Sequence, residues 1–145
     1  LTDIEIMRTL IAYTRERALE HKTFTGCFIV KDGEVWQKSM TSIAVDQNPL
    51  AHAELKALHA FIAQYGAADL QGCQLYTTQQ PCPMCASAIV WCGIEKVVFG
   101  LRSDHQWETF DHVHRFFAAA GVACVGPMRE DECRAIDELL TAHGI

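Results

Sequence analysis

Apolar positions recur at helical spacing from the start of the chain. Ile6, Met7, Leu10 and Ile11 follow Thr2-Asp3-Ile4-Glu5, which has the pattern of a capping box. The spacing predicts a first helix from about Asp3 to Glu20. The period then changes: Thr23 to Val30 reads as a buried strand, Asp32-Gly33 as a hairpin turn, and Glu34 to about Ser42 as a second strand. A loop from Ala44 to Pro49, polar at its centre, leads into a second helix, Ala51 to about Tyr65, with Leu55, Leu58 and Ile62 as its apolar face. Gly66 and Gly72 bracket a loop before a third strand, Cys73 to Thr77. Pro81 and Pro83 suit a helix start and not its interior, so a third helix opens there and runs to about Cys92. Lys96 to Gly100 reads as strand four, Gly121 to Val125 as a short fifth strand, and Arg129 to Thr141 as a final amphipathic helix. Arg102 to about Arg115 shows no consistent period, while Val113 to Ala120 reads as helical.

The order is α-β-β-α-β-α-β-α-β-α. A hairpin followed by alternating helices and strands predicts a mixed five-stranded sheet with helices on both faces, a three-layer α/β/α sandwich. No repeat or linker interrupts it, and 145 residues suffice for one domain, residues 1–145, with a core of its own. No apolar run is long enough to span a bilayer, and the N-terminus lacks the basic-then-apolar pattern of a signal peptide, so the expected compartment is the cytoplasm. Seven cysteines, an odd count, fit reduced thiols better than a disulfide framework. Cys27, Cys73, Cys92, Cys124 and Cys133 lie in apolar surroundings and read as small core residues. The net charge is −6, and the segment from Val98 onward has four Arg, no Lys and eight Asp and Glu. That balance argues against a nucleic-acid partner, whose phosphates call for a basic face.

Two short stretches carry chemistry: His52-Ala53-Glu54 and Pro81-Cys82-Pro83-Met84-Cys85. Cys82 and Cys85 are three apart at a predicted helix start, where sulfurs share a face and the helix N-terminus favours thiolates. His52 and Glu54 are two apart, a spacing that diverges in mid-helix but can converge in a first turn. Together they offer three zinc ligands and a carboxylate base. A closed structural zinc site needs a fourth ligand. Cys92 and His59 each lie seven residues beyond a ligand, roughly 10 Å along a helix, too far to share one metal. Three ligands leave one position open, as in a catalytic zinc site.

His-Ala-Glu followed by Pro-Cys-x-x-Cys resembles the signature of the zinc-dependent cytidine-deaminase-like superfamily. The resemblance extends to Thr25–Gly33, Leu75–Thr78 and Val97–Gly100, and is nearest to the branch of guanine, tRNA adenosine and cytosine deaminases. It implies one Zn²⁺ per chain held by His52, Cys82 and Cys85, with Glu54 as proton shuttle and not a ligand. Backbone N–H groups of Ala53 and Cys82 are implied to assist. The implied reaction replaces an exocyclic amino group by a carbonyl and releases ammonia.

The chain departs from its relatives where they hold substrate. They usually carry Asn at the end of the second strand, where this chain has Ser42 or Thr41, and Glu before the first cysteine, where it has Gln80. Arg102-Ser103-Asp104 and Phe110-Asp111 resemble a stretch of guanine deaminases in which an acidic residue contacts the purine, making Asp104 and Asp111 candidates. Trp107, Phe110, His112 and His114 fit either a lid over a flat ring or a packing face. The tRNA-editing branch has a basic last helix, whereas this one begins Arg129-Glu130-Asp131-Glu132. The expected substrate is therefore a small free nucleobase-like molecule, guanine-like first, ahead of tRNA adenosine. A pterin-precursor deaminase is disfavoured, because its cysteines are separated by a longer insertion. Outside enzymes, the alternative is a catalytically silent zinc-binding interaction module. Ile89, Val90 and Trp91 give the third helix more apolar surface than one core face needs, which with the resemblance predicts a homodimer.

Overall fold

A computed structural model describes residues 1–103 and 110–145; Asp104 and Trp107 lie outside the described residues. The sheet comprises β1 (Gly26–Lys31), β2 (Glu34–Met40), β3 (Gln74–Gln79), β4 (Lys96–Leu101) and β5 (Ala123–Val125), in the order β2-β1-β3-β4-β5. β1 runs antiparallel to both β2 and β3, and β3, β4 and β5 run parallel, so the sheet is mixed as expected. The helices are α1 (Asp3–His21), α2 (Ile43–Asp46), α3 (Ala53–Tyr65), α4 (Pro83–Trp91), α5 (Phe110–Ala119) and α6 (Glu130–Ala142), with a 3₁₀ turn at Ala68–Leu70.

Strand alternation sorts the core into two layers. Cys27, Ile29, Leu75 and Val97 face one side and pack with Phe61 of α3, Ile89 of α4 and Phe117 of α5. Phe28, Val30, Tyr76 and Val98 face the other and pack with Met7 and Leu10 of α1 and Ile136 of α6. All five remaining cysteines are free thiols; Cys27, Cys73 and Cys133 are buried and Cys92 and Cys124 half-buried.

The differences from expectation have local causes. α1 opens with its capping box, Thr2 and Glu5 exchanging two 3.2 Å bonds, but ends in a left-handed residue, Lys22. Thr23 to Thr25 then form a turn, the Thr25 N–H donating to Thr23 Oγ1 at 3.2 Å, so β1 starts only at Gly26. β2 ends at Met40 because α2 follows at once, one turn that its few residues left unpredicted. α3 buries Ala53, Ala57, Leu58 and Phe61, while Ile62 is 38 % exposed, so its inner face is rotated from the predicted Leu55–Leu58–Ile62 stripe. β3 runs two residues beyond its predicted end, to Gln79. Gly100 marks a close approach: a Cβ there would meet the Thr78 carbonyl oxygen at 2.8 Å and the Cys133 sulfur closer still.

Candidate functional site

Two helix starts meet at the carboxyl end of β3. His52 is the residue before α3 and Cys82 the residue before α4, both with extended backbones (φ −78°, ψ 145° and φ −71°, ψ 170°). These conformations are what allow the sequence spacings to work. An extended His52 swings its ring back over the first turn of α3, where Glu54 lies. An extended Cys82 lies beside Cys85 in the first turn of α4, with Pro83 between them as the first helical residue, where its missing N–H costs nothing.

The donor atoms of His52, Cys82 and Cys85 all lie within 4.8 Å of one another. His52 Nδ1 is 3.7 Å from Cys82 Sγ and 3.5 Å from Cys85 Sγ. Ligands at ~2.0–2.3 Å from a tetrahedral zinc stand roughly 3.5–3.8 Å apart, so these side chains fit one zinc ion. Among the described residues the cluster stops at three donors, the count of an open site. The electrostatics favour thiolate at Cys82. A hydrogen bond with Cys85 pulls its thiol down to about 4, against burial and with help from His52. The same contact pushes Cys85 up, so the two thiols share one proton, and the hydrogen bond to Cys82 raises His52 against its burial.

Glu54 is 3 % exposed, and burial raises its carboxyl above the ordinary range, against hydrogen bonds from Cys85 and Thr77. The Thr77 hydroxyl lies 3.0 Å from Glu54 Oε1. The base is thus held by a neutral donor from β3.

Above these groups opens a cleft of about 350 Å³ lined by His52, Glu54 and Cys82, with Phe24 and Ile43 as apolar surfaces. Its other described walls are neutral hydrogen-bonding residues: Thr23, Thr25, Thr41, Gln79, Gln80 and Ser103. Of the two candidates at the end of the second strand, Thr41 lines the cleft and Ser42 does not. Ser42 Oγ donates to Asp46 Oδ2 at 2.6 Å and accepts from Lys56 Nζ at 2.7 Å, which ties it to α2 and α3. The Ala53 N–H, expected to assist substrate, donates to Thr41 Oγ1 at 2.9 Å. Gln80 lines the cleft, its side-chain oxygen accepting the Ser103 N–H at 3.2 Å. Asp111 is an exposed residue in the first turn of α5 and is not among the cleft-lining residues; Asp104 is outside the described residues.

Sequence reasoning missed Thr77 and Gln79. Both stand on one face of β3 by the two-residue period, and carrying that period two residues further would have found them. Gln79 Oε1 lies 2.9 Å from Thr25 Oγ1 and Gln79 Nε2 lies 3.0 Å from Ser103 Oγ.

Residues 2–101 match the family model of the cytidine and deoxycytidylate deaminase zinc-binding region. A tRNA-specific adenosine deaminase of Aquifex aeolicus is 42% identical over 74 residues, 51% of this chain and 49% of that protein. A guanine deaminase of Bacillus subtilis is 38% identical over 74 residues, 51% of this chain and 47% of that protein. The chain thus spans about half the length of the curated relatives it matches. A crystal structure of a mutant of NE0047 in complex with 8-azaguanine superposes with a TM-score of 0.83 at 21% identity, covering 94% of this chain and 82% of that one. That likeness extends the shared fold well past the matched segment.

Proposed function

The chain belongs to the family defined by the cytidine and deoxycytidylate deaminase zinc-binding region, and on that premise we propose that it is a zinc-dependent hydrolytic deaminase of a free nucleobase-like aminoheterocycle, guanine-like first. The observation that carries the reading is the juxtaposition of a three-donor metal cluster with a buried carboxylate at the floor of a cleft.

When bound, zinc supplies a water acidic enough to lose a proton near neutral pH. Glu54 takes that proton, hands it to a ring nitrogen beside the amino-bearing carbon, and later protonates the departing amine. Burial suits this shuttle, since a carboxyl raised above its ordinary range gives and takes a proton near neutrality more readily than a solvated one. The walls exclude bulk water and hold the flat ring. The water's oxygen adds to the amino-bearing carbon, its second proton passes through Glu54 to the amine as the C–N bond breaks, ammonia leaves, and a carbonyl remains on the ring.

The two curated relatives above are named for guanine and for adenosine in tRNA, so both substrates are candidates. Charge favours the small one. The described cleft walls carry no Lys or Arg, the chain's net charge is −6, and α6 opens with Glu130, Asp131 and Glu132. Phosphate contacts depend on such cations. A homodimer is part of the same proposal: Trp91, at the end of α4, is 87 % exposed, an apolar area that a second copy would cover.

The test is an ammonia-release screen of the zinc-loaded protein across guanine, adenine, cytosine, isocytosine, pterins and aminotriazines. A guanine-type base is expected to be turned over fastest. Glu54→Gln is expected to keep stoichiometric zinc and lose at least 100-fold in turnover, roughly the contribution of a positioned acid–base group. Full activity in that variant, with zinc verified by metal analysis, would exclude the reading.

A further inference from the structure

Resting on the deaminase reading, we infer that Glu130, at the start of α6 and not among the described cleft walls, is a positioning residue for substrate. Its carboxylate clamps Arg102 and thereby fixes Ser103, the wall residue that holds the Gln79 and Gln80 side chains. β4 ends at Leu101, whose partner across the ladder is Gln79. Arg102 and Ser103 lie beyond that pairing, so their main-chain donors need other acceptors. Those acceptors lie in different parts of the fold. The Arg102 N–H donates to Glu130 Oε2 at 3.0 Å, and the Ser103 N–H donates to Gln80 Oε1 at 3.2 Å. One peptide step therefore links the last helix to the cleft.

The helix side of that link is firmly seated. α6 buries Cys133, Ile136 and Leu140, and just ahead of it the Met128 N–H donates to the Phe99 and Gly100 carbonyls at 3.1 Å each. Glu130 adds a two-pronged ion pair: Arg102 Nε reaches Oε2 at 3.3 Å and Nη2 reaches Oε1 at 3.2 Å. A lone exposed ion pair holds little, but a bidentate fork with a main-chain bond on the same carboxylate fixes both backbone and side chain. The Glu130 side chain is only 19 % exposed. The main-chain and guanidinium donors of Arg102 keep its carboxyl below the ordinary range, so it is ionised at neutral pH.

The cleft side is closely fitted. Ser103 is 2 % exposed and lines the cleft. Its hydroxyl accepts from Gln79 Nε2 at 3.0 Å and donates to the Gln80 carbonyl at 3.3 Å, while its N–H holds the Gln80 side-chain oxygen. One residue thus orients two carboxamides of the wall. Released from Glu130, Ser103 drifts, and a misplacement of about 1 Å in a positioning group can cost up to about 100-fold. The metal ligands and Glu54 stand at the starts of α3 and α4, away from this link, so the loss falls on holding the ring and not on the chemistry.

The experiment is a double-mutant cycle on the zinc-loaded protein: wild type, Glu130→Ala, Ser103→Ala and the pair. The readouts are kcat and KM on the base that the ammonia screen finds fastest, with zinc content and melting temperature alongside. Glu130→Ala is expected to raise KM about 10-fold with kcat within about threefold. Ser103→Ala is expected to act alike, and the pair to exceed Ser103→Ala by no more than about twofold, because Glu130 acts through Ser103. Effects that multiply, or a KM left unchanged by Glu130→Ala, would overturn the inference whatever the melting temperature. Glu130→Gln, which keeps shape and loses charge, carries the same cycle should the alanine variant not fold. A second arm needs no turnover. By NMR hydrogen exchange, the Ser103 N–H is expected to exchange about 10-fold faster in the Glu130 variant while the Phe28 N–H, inside β1, keeps its rate. A Ser103 rate that rises no more than that of Phe28 would count against the link. Ammonia release from no base at all would instead overturn the deaminase reading, and the exchange rates would still decide the role of Glu130.

Discussion

At the scale of single residues, the buried carboxylate is the costly group and Thr77 its support. A carboxylate with 3 % exposure must find hydrogen-bond donors or lose its charge. Thr77, fully buried on β3, has its oxygen 3.0 Å from Glu54 Oε1 and 2.8 Å from the Gln79 carbonyl, so its single proton is shared between two acceptors. Thr77 acts through Glu54 and not on substrate, which makes it a positioning residue. Thr77→Val preserves volume and removes the donor. A lost bond to a buried charged group is worth about 1–3 kcal/mol, so kcat is expected to fall about 10-fold or more. KM and zinc content are expected to stay within about twofold, because the cleft walls and the metal ligands are untouched. Thr77→Ser is expected to restore most of the loss. Steady-state kinetics on the three proteins would check this, and a Ser variant as slow as Val would argue for packing instead.

At the scale of elements, α1 is fastened to the interior strands β3 and β4 by its first helical residue. Asp3 accepts hydrogen bonds from the Tyr76 hydroxyl at 2.6 Å and from Lys96 Nζ at 2.9 Å. Burial raises the Asp3 carboxyl, but the bonds from Lys96 and Tyr76 outweigh it and hold it below the ordinary value. A depressed carboxyl contributes stability that is present above the unfolded pKa, about 3.9, and is lost as pH falls through the folded one. Asp3→Asn is therefore expected to cost about 1 kcal/mol at pH 7, the partial exposure of both side chains screening the pair. The gap in melting temperature between wild type and variant is expected to hold from pH 6 to 8 and to close below pH 4. Gly100 tests the opposite side of the same layer. A methyl group there runs into the Thr78 carbonyl and Cys133, so Gly100→Ala is expected to lower stability by about 1–3 kcal/mol, read by denaturant melts. Elements of this kind explain what was legible in advance. The capping box of α1, the Asp32-Gly33 hairpin and the prolines opening α4 are local signals, and the predicted layers follow from them. α2 is one turn of four residues, too short for a period to register, and the inner face of α3 is chosen by which side meets the sheet. The same holds in the cleft: spacing placed His52, Glu54, Cys82 and Cys85 together, but whether Thr41 or Ser42 turns inward depends on Asp46 and Lys56 drawing Ser42 away.

At the scale of the whole molecule, the question is whether the metal holds the fold or only the chemistry. Both faces of the sheet carry continuous apolar clusters, one running through Phe61, Ile89 and Phe117 and the other through Met7, Leu10 and Ile136. Fully burying each such side chain contributes about 1.5–3 kcal/mol, and neither cluster depends on the metal ligands. The cluster instead ties together the starts of α3 and α4, two elements already packed on the sheet. Zinc is therefore expected to be dispensable for folding and indispensable for turnover. Removing it with a chelator should abolish activity while leaving the far-ultraviolet circular dichroism unchanged. The melting temperature should still fall, because an ion that binds the folded state alone stabilises it by about 2.7 kcal/mol at 100 times its dissociation constant, or several degrees for a chain of this size. Re-addition of zinc should restore both readings, and in Cys82→Ala the chelator should lower the melting temperature by less than in the wild type. Loss of secondary structure on chelation would make the site structural and would count against an open, catalytic position beside Glu54.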